Sequence, residues 1–80
     1  MMSNAIESEI YMPDNAVMYF HSRAREFRKF AKRTRVQASN AHLAGELSKD
    51  GVTKAEHRAL DFEARAKYWE TKAEEYKQRF

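Results

Sequence analysis

Cysteine is absent from this chain, and turn-forming residues are scarce, since its 80 residues include two glycines and one proline. Without cysteine the chain can form neither a disulfide nor a thiolate metal site. So few glycines and prolines argue against a β fold built from short hairpins. A chain of this length also buries only about 60–65% of its unfolded surface, so we expect one small domain with a marginal core.

Long apolar runs are absent as well. The longest one, residues 16–20, has five residues, whereas a membrane-spanning helix needs about 20. No apolar stretch follows a basic start, so no signal peptide is predicted. We therefore expect a cytoplasmic protein that does not engage a membrane.

Helix-favouring residues, by contrast, are abundant, with many alanines, glutamates, lysines and arginines. Apolar and small residues recur at intervals of three and four, a period of about 3.5 that is typical of packed helices. In the first half of the chain these positions are Val17, Phe20, Ala24, Phe27, Ala31, Thr34, Ala38, Ala41 and Gly45. The same pattern runs from Ala55 to Phe80.

The fold class predicted from this pattern is all-α: an antiparallel hairpin of two long helices, preceded by a short N-terminal helix. The short helix carries Ile6 and Ile10 on one face and ends at Pro13, because proline disfavours helix at the residue before it. Asp14 or Asn15 is expected to cap the helix that follows. The predicted bounds are 1–13 for the N-terminal segment, 14–80 for the hairpin, and about 15–49 and 54–79 for its helices.

The turn of the hairpin is predicted at Asp50-Gly51, where glycine can adopt the left-handed conformation that ends a helix. Thr53 and Glu56 then have the spacing of a capping box, which marks the start of a helix. A turn this short forces the two long helices to lie antiparallel.

Folding the chain at Gly51 predicts large residues of the second helix opposite small ones of the first, with Phe62 against Ala41 and Trp69 against Thr34. This pairing does not use all the apolar residues. Those left over are Val36, Leu43, Leu47, Leu60 and Tyr68. Since one layer cannot bury them, they must be covered by the N-terminal segment, by another copy or by a partner. We expect a homo-oligomer, a dimer or larger, that forms a helical bundle.

Catalytic and metal-binding patterns are missing. The chain has no Gly-x-Ser-x-Gly motif, and its two glycines exclude a glycine-rich phosphate loop. His21, His42 and His57 lack the spacing of a helical metal site. We therefore predict no enzyme activity, no cofactor and no metal.

Positive charge is unevenly distributed within a net charge of +3. The first 20 residues contain Glu7, Glu9 and Asp14 and no base, whereas residues 21–36 contain seven lysines and arginines against Glu26 alone. Such a segment can bind phosphates or an acidic protein surface, or can simply be a solvated helix face. The candidate partner- or phosphate-binding residues include four cations expected on the side of the helix away from the seam, Arg25, Lys29, Lys32 and Arg33, and two expected on one flank, Arg28 and Arg35. Two tyrosines expected to be free, Tyr11 and Tyr19, complete the set.

Two functions fit these observations best. The first is a non-enzymatic helical binding protein that docks on or blocks another macromolecule, as regulators and inhibitors encoded by phages and mobile elements do; its protein partner is not identified by the sequence. The alternative is a nucleic-acid or nucleotide binder that uses the basic face of the first long helix. A third interpretation is a structural piece of a larger assembly.

Overall fold

The computed structural model describes residues 13–79, with side chains from 15 to 78. Two α-helices of 31 residues each make up nearly all of this region: α1, Pro13–Leu43, and α2, Lys49–Arg79. Residues 44–48 join them, and the helices pack against each other in antiparallel orientation. The predicted all-α hairpin is confirmed, and no strand occurs between residues 13 and 79.

Alanine forms the line of contact between the helices. The buried side chains of the described region are seven alanines, which we call the alanine seam: Ala24, Ala31, Ala38, Ala55, Ala59, Ala66 and Ala73. Each is at most 8% exposed, and no large side chain in the described region is fully buried. Because small side chains let two helices approach closely, the bulkier residues are held at the two flanks of the seam.

The two flanks differ in chemistry because the seam repeats every seven residues. Three positions after Ala59, Ala66 and Ala73 the residue is aromatic, and four positions after Ala59 and Ala66 it is a glutamate. One flank of the hairpin, the aromatic face, consists of Tyr19, Phe20, Phe27, Phe30, Phe62, Tyr68, Trp69 and Tyr76. The other flank, the ion-pair face, consists of Arg28, Arg35, Glu56, Glu63 and Glu70.

The position of the turn corrects the sequence prediction. α1 ends at Leu43 rather than near residue 49, and Gly45 takes the left-handed conformation, with φ of +78°. The Gly45 N–H donates to the carbonyl of His42 at 3.0 Å, and the Glu46 N–H donates to that of Ala41 at 2.8 Å. These two bonds are the pair that closes a helix in a Schellman motif. Gly45 therefore has the role that the sequence assigned to Gly51.

The start of the second helix is also earlier than residue 54. Ser48 caps α2, since its Oγ accepts a hydrogen bond from the Gly51 N–H at 3.1 Å. Gly51 lies in the first turn of α2, where a Cβ would meet the Leu47 side chain. The predicted capping box is wrong, because the Thr53 hydroxyl donates to the Lys49 carbonyl and Glu56 bonds to Arg35 on the other helix.

The earlier turn changes which residues face each other. Trp69 contacts Phe20 rather than Thr34, with ring centroids 5.7 Å apart. Phe62 contacts Phe27 rather than Ala41, at 6.3 Å. The predicted pairing of large against small residues is therefore wrong: both helices contribute alanines to the seam, and rings meet rings beside it.

The N-terminal part of α1 also differs from the prediction in detail. The helix begins at Pro13, so that Asp14 and Asn15 lie in its first turn instead of capping it; proline is favoured at the first position of a helix. The short helix predicted before Pro13 lies outside the described residues. Between residues 13 and 79, neither helix has a stretch apolar and long enough to cross a membrane.

Candidate functional site

The aromatic face is richest at the open end of the hairpin, where α1 begins and α2 ends. Phe20 lies at the centre of this cluster, stacked on Trp69 and edge-on to Tyr76 with ring centroids 5.9 Å apart. Tyr19 and Tyr68 both meet Trp69 edge-on, at 6.0 and 5.3 Å. Edge-to-face and offset contacts at these separations are favourable for aromatic pairs. We call these five rings the open-end cluster.

A second cluster continues the aromatic face toward the turn. Phe27, Phe30 and Phe62 lie with ring centroids 5.6 to 6.3 Å apart. The guanidinium of Arg23 joins the two clusters, since its carbon lies 5.2 Å from the Phe27 centroid and 5.8 Å from that of Trp69. Its Nε is buried without a hydrogen-bond partner in the described region. The result is one continuous aromatic surface.

Cations surround this surface. Arg65 lies 6.0 Å from the Phe27 centroid, and Lys72 lies 5.6 Å from that of Tyr68. Such contacts are electrostatic attractions between a cation and the negative face of a ring. Arg23 and Lys72 also contact glutamates on their own helices. The aromatic face therefore presents apolar rings with positive charge among and beside them.

Much of this face is open to water because the hairpin is a single layer. Tyr19 is 55% exposed, Tyr68 54% and Phe30 40%, while Trp69 is partly buried. Contiguous exposed apolar patches are uncommon on monomeric proteins and mark interaction sites when they occur. Aromatic residues are also enriched at the centres of protein interfaces.

The ion-pair face holds the helices together on the opposite flank. Arg35 bonds Glu56 at 2.8 Å and Glu63 at 2.7 Å, and Arg28 forms a two-pronged bond with Glu70 at 2.7 and 3.1 Å. Hydrogen bonds from Arg35 lower the pKa of the Glu56 and Glu63 carboxyl groups, and those from Arg28 lower that of Glu70. The same bonds raise the pKa of both arginines, which stay charged. Arg28 and Arg35, two of the candidate partner-binding residues, thus bind α2.

Four of the candidate cations remain on the outside of α1. Arg25, Lys29, Lys32 and Arg33 are exposed, and none lies within 4.0 Å of a carboxylate in the part of the chain that the structure describes. Spacings of three, four, seven and eight residues place them on one side of the helix. We call these four residues the outer basic face.

The two candidate tyrosines do not join the outer basic face. Tyr19 belongs to the open-end cluster through Phe20 and Trp69. Tyr11 lies outside the described residues. The structure therefore separates the exposed rings from the outer cations, which the sequence prediction had grouped as one site.

The histidines provide no candidate metal site in the described region, and His42 makes a contact within the turn. The Nδ1 of His42 lies 2.8 Å from the carbonyl of Leu47, a contact that spans the turn. Within residues 13–79, no three histidine, aspartate or glutamate side chains come together in a way that could hold a metal ion.

The aromatic face is the feature that sequence analysis missed. Its signal was present, because alanines seven residues apart in both halves of the chain indicate which positions lie in the seam. Phe20 and Phe27 then fall beside the seam rather than in it, as do Phe62, Trp69 and Tyr76. Assigning these rings to the core obscured the exposed surface that they form.

Comparison of the chain with protein-family models, with curated proteins and with solved structures finds no match.

Proposed function

We propose that this protein is a non-enzymatic binding protein whose aromatic face docks on, and thereby blocks or regulates, another macromolecule. The observation that carries this proposal is the continuous surface of eight rings on one side of a single-layer hairpin. Large rings supply more contact area than other side chains, with little loss of conformational freedom on binding. A cytoplasmic regulator or inhibitor, of the kind that phages and mobile elements encode, fits this architecture.

The partner is expected to be a protein segment with apolar side chains and carboxylates. Apolar side chains would cover the exposed parts of Tyr19, Tyr68 and Phe30. Carboxylates would complement Arg65 and the other cations beside the rings.

Affinity capture from a cell lysate with two matched pairs of substitutions tests this proposal. Phe30→Ser with Tyr68→Ser removes two exposed rings of the aromatic face. Val36→Ser with Leu60→Ser removes comparable apolar side chains, 49% and 50% exposed, that lie away from that face: Val36 follows Lys32 by four residues and Leu60 follows Glu56 by four. Loss of the captured protein in the first pair alone supports the proposal. Equal capture by both pairs and the parent contradicts it.

A second candidate function, binding of nucleic acid or nucleotides through the outer basic face, is favoured by one observation. None of the four cations of that face is paired with a carboxylate in the described region, so all four are available for phosphates. A phosphate binder should elute late from heparin, with an affinity that falls linearly with the logarithm of salt concentration.

A charge-matched pair of variants tests the second function. Lys29→Glu with Arg33→Glu removes two outer cations, whereas Arg58→Glu with Lys67→Glu makes the same change in net charge on α2. Earlier elution and weaker oligonucleotide binding of the first pair alone support a phosphate site. If the parent ignores heparin and oligonucleotides at low salt, this function is excluded.

Self-association into a helical bundle is part of the proposal, because a single layer of two helices leaves apolar residues uncovered. Val36, Leu43 and Leu60 are at least 49% exposed. Light scattering at two protein concentrations tests it: a mass that stays at that of one chain at both concentrations contradicts an oligomer.

A further inference from the structure

We infer that residues 1–12 of the same chain fold back onto the aromatic face and compete there with the external partner. This inference rests on the proposed function, since it takes the aromatic face to be the docking surface. It concerns the regulation of that surface.

The chemistry of residues 1–12 complements the aromatic face. The segment contains the apolar residues Ile6, Ile10, Tyr11 and Met12. It also carries two glutamates and no lysine or arginine, whereas residues 13–79 contain all fifteen of the lysines and arginines and only ten of the twelve acidic residues. Its net charge of −2 therefore contrasts with +5 for residues 13–79. Three cations of the hairpin, Arg23, Arg65 and Lys72, lie within about 6 Å of ring centroids of the aromatic face.

The position and length of the segment also fit. It joins the hairpin at Pro13, six residues before Tyr19, a distance of about 9 Å along α1 at about 1.5 Å per residue. Twelve residues in helical form would span about 18 Å, so a segment running back along α1 from Pro13 reaches about 9 Å beyond the level of Tyr19 and covers the open-end cluster, but not Phe30. Because the residue before a proline is disfavoured in the α conformation, the chain tends to leave the axis of α1 at Met12.

Because residues 1–12 are covalently joined to the hairpin, a weak contact is enough for them to occupy the aromatic face. A segment joined by a short linker is present at an effective concentration of about millimolar. Even a weak contact of the two isoleucines with the rings would then occupy the face for much of the time, and an external partner would have to displace it.

A second copy of the hairpin is a poorer occupant of this face. Two aromatic faces brought together would oppose the cations Arg23, Arg65 and Lys72 with the same cations of the other copy. Like charges brought together across an interface oppose association. The two glutamates of residues 1–12 would instead attract these cations, of which Arg65 has no carboxylate within 4.0 Å in the described region, whereas Arg23 and Lys72 already contact one glutamate each.

The single tryptophan of the chain reports on this contact, because Trp69 belongs to the open-end cluster. The test compares two full-length double variants. The first carries both Ile6→Asp and Ile10→Asp, and the charge-matched control carries both Ser3→Asp and Ser8→Asp. In the isoleucine variant we expect Trp69 emission to shift to longer wavelength and acrylamide quenching to increase, with unchanged helix content by circular dichroism. The control should behave like the parent. Identical emission and quenching in all three proteins would overturn the inference.

A spin label provides an independent measurement that does not depend on the stability of the isoleucine variant. Since the chain has no cysteine, Ser8→Cys gives a single attachment site in otherwise unchanged protein. We expect the label to broaden the indole N–H signal of Trp69 and to leave the amide signals of Val36 and Leu60 sharp. An unbroadened Trp69 signal overturns the inference. So does broadening of equal size when labelled protein is mixed with isotope-enriched, unlabelled protein, because that result identifies a second copy as the occupant.

The two proposals can fail separately. If Phe30→Ser with Tyr68→Ser abolishes capture while Trp69 does not respond to residues 1–12, the aromatic face binds a partner and the segment does not cover it. If Trp69 responds but capture is unaffected, the face serves the segment alone. If both proposals hold, Ile6→Asp with Ile10→Asp should capture more partner than the parent.

Discussion

Replacing Ala66 by leucine should strongly destabilise the hairpin. Ala66 has no exposed surface and lies in the alanine seam, where its methyl group faces the other helix. A leucine adds three carbon atoms where no space exists, so the helices must separate or the new side chain must adopt a strained rotamer. Overpacking of this kind costs about 1–3 kcal/mol. Separation of the helices would also lengthen the hydrogen bonds that Arg35 donates to Glu63, so we expect the upper half of that range.

The consequence should be readily measurable. A chain of this size has a total stability of roughly 4–12 kcal/mol, and each kcal/mol changes the melting temperature by about 4–8 °C. We therefore expect Ala66→Leu to lower the melting temperature by about 8–24 °C in thermal unfolding followed by circular dichroism. Ala64→Leu, two residues earlier and exposed, is the matched control and should change stability by less than about 0.5 kcal/mol. If both variants melt together, the alanine seam is not the contact between the helices.

Three further predictions concern the turn and the ion-pair face. Ser48→Ala should lower the free energy of unfolding by about 1 kcal/mol through the lost cap, whereas Thr53→Ala should lower it clearly less in the same urea titration. The reverse order would instead support the turn at Gly51 that the sequence predicted. Gly45→Ala should cost about 1–2 kcal/mol, because a side chain disfavours a φ of +78°, and an unchanged urea midpoint would argue against this turn. Acid should destabilise the fold. The arginines lower the pKa of Glu56, Glu63 and Glu70 in the folded protein. The stabilisation from these ion pairs is therefore present above the pKa of an unfolded glutamate and is lost as the pH falls through the lowered pKa of the folded state. Melting temperatures measured from pH 7 to pH 2 should show that loss, and Glu63→Gln should reduce it.

The helices could be predicted from the sequence because they depend on a local and repeated signal. Intervals of three and four residues mark one side of each helix, and the structure has two helices where this pattern runs. The turn could not be predicted in the same way, since Gly45 and Gly51 are both plausible ends of a helix. Capping residues that follow Gly51 favoured the wrong one.

Long-range contacts decide between the two turns. With the turn at Gly51, Trp69 would face Thr34 and would not meet Phe20. With the turn at Gly45, the two helices have equal lengths, and Phe20 meets Trp69 and Tyr76. Glu56, which the local pattern assigned to a cap, pairs with Arg35 across the hairpin instead. Stabilisation that depends on residues far apart in sequence is not visible in a window of a few residues.

The candidate site could be predicted only in part for a related physical reason. Exposed cations such as Lys29 and Arg33 are recognisable from charge and helical spacing alone. Arg28 and Arg35 have the same charge and lie in the same segment, and only the pairing of the helices shows that their partners are glutamates of α2. Tyr19 likewise belongs to the open-end cluster because it contacts Trp69, which lies fifty positions away in the chain.

The alanine seam links the stability of the hairpin to its proposed function. Methyl groups bring the two helices so close that no ring fits between them, and the rings of Phe20, Trp69 and Tyr76 are therefore displaced to one flank. Each buried methyl contributes only about 0.8 kcal/mol, whereas a large aromatic side chain can bury about 150–250 Å². Covering the exposed parts of the rings would thus stabilise the hairpin further. A seam of larger residues would let such rings interdigitate with the opposite helix, and the chain would then keep no apolar surface of this size for residues 1–12 or a partner to cover.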